Sequence, residues 1–213
     1  MPSSLPQPLP PAPAVMARAR AAMLAEAQHQ RGSGWTGSFA LVFGVGLTLV
    51  ALIAIAGLAA GAFTPALILS HLPSMLLLAA VPPLLWLAAF RPGSRPLRLA
   101  SLAVALLAMA LIVVLRRVSP GEDTSRWSCT LSHLGVALVP GAVTLFALRR
   151  AAFNPLRAWA AGLGVGALGA FAGELGCAQG PLHVLVFHLS AWLFVSVLIT
   201  WLASRVRPRS FAP

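Results

Sequence analysis

The sequence has no lysine, no tyrosine, four acidic side chains and two cysteines in 213 residues. The scarcity of charge excludes most. Charged residues make up 9% and hydrophobic residues 59%, with a mean hydropathy of +0.88, whereas soluble domains carry about 25% charged residues. An ordinary water-soluble globule is excluded. With lysine absent, all fifteen basic residues are arginine, and the net charge is +11. A nucleic-acid binder would display such charge on a polar surface, which this chain lacks, so no direct contact with nucleic acid is expected. Four acids spread along the chain supply no hard-oxygen cage for a metal. The cysteines, 48 positions apart, are not the close CxxC pair of a thiol-exchange enzyme.

What is present is long apolar runs. A helix needs about 20 mostly apolar residues to cross a bilayer, and six segments qualify: Ser38 to Ala62, Leu67 to Phe90, Leu97 to Leu115, Ser128 to Leu148, Ala158 to Leu175 and Leu182 to Ala203. The expected fold is an all-α polytopic membrane protein. Residues 1–37 form a cytoplasmic Pro-rich tail and short helix, 38–203 the six-helix domain, and 204–213 a basic tail. Short connections leave no room for a second folded domain.

Basic residues in short loops stay on the cytoplasmic side. Twelve arginines fall in the N-terminal segment, two alternate connections and the C-terminal tail. Only Arg116, Arg117 and Arg126 fall on the other side, where Glu122 and Asp123 offset them. Both termini are therefore expected in the cytoplasm. The first 37 residues lack the order of a cleavable signal peptide. Six prolines between residues 2 and 13 favour an extended tail, and residues 15–30, VMARARAAMLAEAQHQ, read as an Ala-rich helix. Its stripe of Met16, Ala19, Met23 and Ala27 suits either the anionic lipid surface or a cytoplasmic partner, with Arg18, Arg20, Met23 and Leu24 as candidate contacts.

On this topology both thiols face one compartment. Cys129 opens the fourth span and Cys177 closes the fifth. His133 lies one turn from Cys129, Glu174 three residues before Cys177, His183 at the start of the sixth span and His71 near the start of the second. Three readings are open. A structural disulfide would restrict the unfolded chain by about 4 kcal/mol. A redox or metal sensor would use the thiols with His133, His183 or Glu174; thiolate and imidazole favour zinc or copper(I). Thiol catalysis has no supporting motif, and no enzyme is expected. His188 reads as a buried histidine bonded to a neighbouring helix; nearly one and a half turns from His183, it does not share a face with it well enough for the two to serve as haem ligands.

Gly164-Val-Gly166-Ala-Leu-Gly169 matches GxGxxG, but a dinucleotide site needs a preceding strand and turn. These glycines lie within an apolar helical run. Gly162 and Gly166, Gly169 and Gly173, and Gly57 and Gly61 instead suit close helix packing. Pro73, Pro82, Pro83 and Pro140 are expected to break their helices, as in transporters. A transporter also needs polar midplane groups, and no carboxylate falls there. Trp127, Trp159 and Trp201 fit interfacial anchoring.

The chain resembles the NrsF-type integral-membrane anti-sigma factors of proteobacteria. The likeness rests on six spans in just over 200 residues, a cysteine opening the fourth span (RWSCTLSHLGVALVP), the Arg149–Arg150 pair after it, a glycine-rich fifth span and the closing element GELGCAQGPLHVLVFHLSAW. It is most specific from residue 126 to 192. The resemblance implies a multi-pass protein of the bacterial inner membrane that holds a cytoplasmic extracytoplasmic-function sigma factor and releases it under stress. It also implies Cys129 and Cys177 as the periplasmic pair associated with signal perception. The basic cytoplasmic loops, including Arg149 and Arg150, are then candidate partner contacts. The alternative functions are a small transporter or channel, or a membrane thiol or haem redox protein.

Overall fold

The computed structural model describes residues 13–18, 20, 21, 34–93, 95–116, 126–150, 153–177 and 179–206. All regular structure among them is helical. Residues 13–18, 20 and 21 are helical, so helix begins two residues before the expected stretch 15–30 and includes Pro13. Met23, Leu24, the Pro-rich tail up to residue 12, Glu122, Asp123 and the C-terminal tail beyond residue 206 lie outside the described residues. The elements that follow are α1 (Trp35–Ala59), a short α2 (Pro65–Ser70), α3 (Leu72–Phe90), α4 (Arg95–Leu115), α5 (Arg126–Leu148), α6 (Pro155–Gly176) and α7 (Pro181–Arg205), the last with a π-turn over Val184–Leu189. Six of these helices are long and apolar enough to cross a membrane, which makes the chain a multi-pass membrane protein.

Short connections make successive spans antiparallel, so the bundle has two chemically different ends. One end gathers Arg91, Arg95, Arg98, Arg149, Arg150, Arg157 and Arg205. The other gathers the ends of α4 and α6 and the starts of α3, α5 and α7, and with them both cysteines. At the arginine end the polar contacts are local caps. Asn154 caps α6, its side chain accepting from the Arg157 N–H at 3.0 Å, and Pro155 occupies the first turn, where its missing donor is not needed. Arg98 is buried rather than a loop charge. Its Nε donates to the Ala88 carbonyl and its Nη2 to the Arg91 carbonyl, each at 3.0 Å, and satisfies oxygens that the end of α3 leaves open.

Helix α6 is the axis of the bundle: 78% of its spanning window is buried, against 11% for α1. Its small residues explain why. A Cβ at Gly162 would lie 2.9 Å from the Ser196 backbone, one at Gly164 2.6 Å from the Trp86 indole, and one at Gly166 would overlap Trp192. Gly169 and Gly173 are closed in the same way by His133. The glycines thus let α3, α5 and α7 approach from three sides, the means by which helices associate where lipid gives no hydrophobic drive. The stripe expected on α1 is different. Gly57 packs under the Phe63 ring of the chain that follows it, and Gly61 lies beyond the helix at φ +68° with nothing near it. What α1 buries is Ser38, Val42 and Gly46, with Gly46 against Trp86.

Pro73 does not break a helix, since it occupies the first turn of α3, whereas Pro82, Pro83 and Pro140 do lie inside helices. Trp127 and Trp201 project outward at 71% and 52% exposure. Trp159 instead packs against the core.

Candidate thiol and metal centre

Three helix ends bring four soft donors together. Cys129 comes from the first turn of α5, Cys177 from the residue after α6, and His183 and His188 from α7. One ligand atom from each lies within 4.8 Å of all the others. Cys129 is half-buried and the other three are buried. The two thiols are free rather than joined in a disulfide. Thiolate and imidazole in such a group suit zinc or copper(I), so this cluster could hold a metal ion.

The position of His188 corrects the expectation that it stands apart from His183. On an α-helix, residues five apart are separated by about 140° around the axis. Here Val184–Leu189 is a π-turn, whose i→i+5 pattern stacks such residues on one side. The His183 and His188 rings lie 5.3 Å apart as a result. His133, expected as a ligand, is buried behind them with its ring 4.6 Å from His188, outside the group of four.

Glu174 also lies outside the four, and one of its carboxylate oxygens is held by other side chains. Arg116 Nη1 donates to Oε2 at 2.6 Å and the Ser74 hydroxyl donates at 3.0 Å, with His71 Nδ1 3.8 Å away. Arg116 is expected as one of the charges of the connection after α4. It is instead 7% exposed. Its Nε donates to the Gln179 carbonyl at 2.7 Å and its Nη2 to the Cys177 carbonyl. The signal that could have revealed this is Glu174 itself, since a carboxylate buried in a bundle requires a cation.

Arg116 thus grips the short segment that carries Cys177. The α6 terminus holds the same residue from the other side, with the Cys177 N–H donating to the Gly173 carbonyl at 3.0 Å. Burial pushes the Cys177 thiol up to about 11, against a hydrogen bond from the Gln179 backbone. At neutral pH it is a protonated, weakly nucleophilic thiol.

The chain is 41% identical over 170 residues to the carotenogenesis protein CarR of Myxococcus xanthus, a match that covers 79% of this chain and 76% of CarR. This chain belongs to the CarR family. No family model matches it and no solved structure matches it. In this CarR-family chain two of the candidate partner contacts, Arg149 and Arg150, sit at the end of the bundle opposite the thiols. Arg149 and Arg150 are exposed just past α5, with the Arg150 guanidinium 5.4 Å from the Phe146 ring centroid. Arg18 and Arg20 are exposed on the N-terminal helical stretch.

Proposed function

We propose that this protein is a non-enzymatic integral-membrane regulator, an anti-sigma factor of the bacterial inner membrane. It holds a cytoplasmic extracytoplasmic-function sigma factor and releases it when a redox or metal signal reaches the Cys129–Cys177 cluster. The carrying observation is the convergence of two cysteines, 48 positions apart, at the end of the bundle opposite the one that gathers most of the arginines. By the positive-inside rule the arginine end is cytoplasmic and the thiol end periplasmic, the side on which thiol oxidation persists. The likeness to NrsF-type anti-sigma factors supports the same division of labour. Membership of a family whose Myxococcus relative is a carotenogenesis protein supports a regulatory role.

The signal would have to favour one of two helix arrangements that differ in affinity for the partner. The basic inner surface, with Arg149, Arg150, Arg18 and Arg20, suits an acidic partner face; lipid headgroups occupy the rest.

The test is to purify the tagged full-length protein from the membranes of its native bacterium and to probe the eluate for an extracytoplasmic-function sigma factor. The sigma factor is expected to co-purify, and oxidant or metal challenge of intact cells is expected to release it. A protein that purifies without the sigma factor, and whose deletion leaves sigma-dependent transcription unchanged, contradicts the proposal.

A further inference from the structure

We propose that Cys129, Cys177, His183 and His188 form one closed four-ligand centre for a d10 metal ion, zinc or cuprous, and that the π-turn ties its occupancy to the register of α7. The inference rests on reading this cluster as the sensing end of the protein, and adds the ligand set and the means of transmission.

The geometry favours these four. In a tetrahedral site with two sulfur and two nitrogen ligands, neighbouring donors stand about 3.3–3.8 Å apart, given metal–ligand bonds of roughly 2.0–2.3 Å. The four donor atoms already lie within 4.8 Å of one another, so small side-chain movements close the shell. Both ring nitrogens of His188 are buried and lack a hydrogen-bond partner among the described residues. An unpartnered buried nitrogen is unfavourable, and a metal bond removes that cost for one of them. Gly173 shapes the floor: a Cβ there would lie 2.5 Å from His133 Nε2 and 3.0 Å from the His188 ring.

Both imidazoles depend on the π-turn. Single π-turns are rare and concentrate at functional sites. If Val184–Leu189 took α geometry, His183 and His188 would separate to about 140° around the axis, and one ligand would be lost. A bound ion therefore holds the π-turn, and its loss frees the helix below to rotate. That lower part is where α7 meets α6 most closely, with Trp192 over Gly166 and the Ser196 backbone over Gly162. Trp192 Nε1 donates to the Leu163 carbonyl at 2.8 Å. A change of register at the thiol end must therefore move Trp192, and with it the half of α7 that ends at Arg205.

The test uses the full-length protein in lipid nanodiscs, stripped with chelator and titrated with Co²⁺, Zn²⁺ or Cu⁺. Trp192 is followed as the 5-fluorotryptophan ¹⁹F resonance that disappears in Trp192→Phe. Co²⁺ is expected to give a tetrahedral spectrum with two thiolate ligands, retained in His133→Gln and lost in Cys129→Ser, Cys177→Ser and His188→Gln. Gly173→Ala, whose added methyl group would crowd His133 Nε2 and the His188 ring, should weaken binding roughly 10- to 100-fold, the range for residues that orient metal ligands. Competition between Zn²⁺ and Cu⁺ identifies the ion. Metal should shift the Trp192 resonance in the wild type and leave it in place in His188→Gln. A folded wild type with no such cobalt spectrum, or a His133→Gln variant that loses it, overturns the ligand set. Metal binding with an unmoved Trp192 resonance overturns the coupling. No sigma factor is in the sample, so these outcomes are independent of the anti-sigma reading.

Discussion

Arg116 and Glu174 stand 58 positions apart in the sequence and 2.6 Å apart in space, at 3% and 1% side-chain exposure. The pair joins the end of α4 to the end of α6. Because the remaining nitrogens of Arg116 hold the Cys177 and Gln179 carbonyls, it also fixes the segment that positions one of the two thiols. Breaking a buried pair by removing one partner leaves an uncompensated charge, at a cost of about 3–5 kcal/mol. Arg116→Gln and Glu174→Gln should each lower the thermal unfolding temperature of the detergent-solubilised protein. The double variant should lose less than the sum of the two. Additive losses would show that the two side chains are energetically independent.

The thiols should differ in reactivity. Cys129 is half-exposed, whereas Cys177 is buried and its thiol is pushed up to about 11. Only the thiolate reacts, and below about 11 its fraction rises tenfold per pH unit. Maleimide should modify Cys129 of the metal-stripped protein first. In Cys129→Ser, the rate at Cys177 should climb steeply between pH 7 and 10 without levelling off. A plateau near pH 8 would contradict the buried environment assigned to it.

Substitutions on the glycines of α6 should depend on direction around the helix. Gly162→Ala meets the Ser196 backbone and Gly166→Ala meets Trp192, and overpacking of this kind costs about 1–3 kcal/mol. Gly44→Ala and Gly135→Ala have open space around the new methyl group and should be neutral or stabilising by up to about 1 kcal/mol through helix propensity. Chemical unfolding in mild detergent measures all four.

The features legible in the sequence are those set by length and by side of the membrane. All six spans were, because an apolar run of sufficient length permits little else, and their alternation was enough to place Cys129 and Cys177 at one end. The glycines of α6 were readable as a packing surface because that role needs only small residues at helical spacing. The His183–His188 pairing was not, since periodicity arguments assume 3.6 residues per turn and a π-turn violates that locally. Arg116 escaped for a related reason. Positive-inside counting treats every arginine near a span end as a solvated charge and does not ask whether a buried acid such as Glu174 claims it. Gly57 and Gly61 show the opposite failure, in that a spacing shared with Gly162 and Gly166 fell at a helix end, where a turn required it.

The proposed orientation predicts a cytoplasmic C-terminus. A fluorescent-protein fusion after residue 213 should fluoresce in intact bacteria, and an alkaline phosphatase fusion at the same point should be inactive. The reverse pattern would place the arginine end outside and the thiols in the cytoplasm.

The most direct test of the account is the amount of sigma factor retained by the full-length protein in vesicles when zinc or cuprous ion is added to the thiol face alone. The account predicts that the wild type releases its sigma factor and that His188→Gln, although folded and able to hold the sigma factor, does not. Equal retention by the wild type with and without the ion would contradict it.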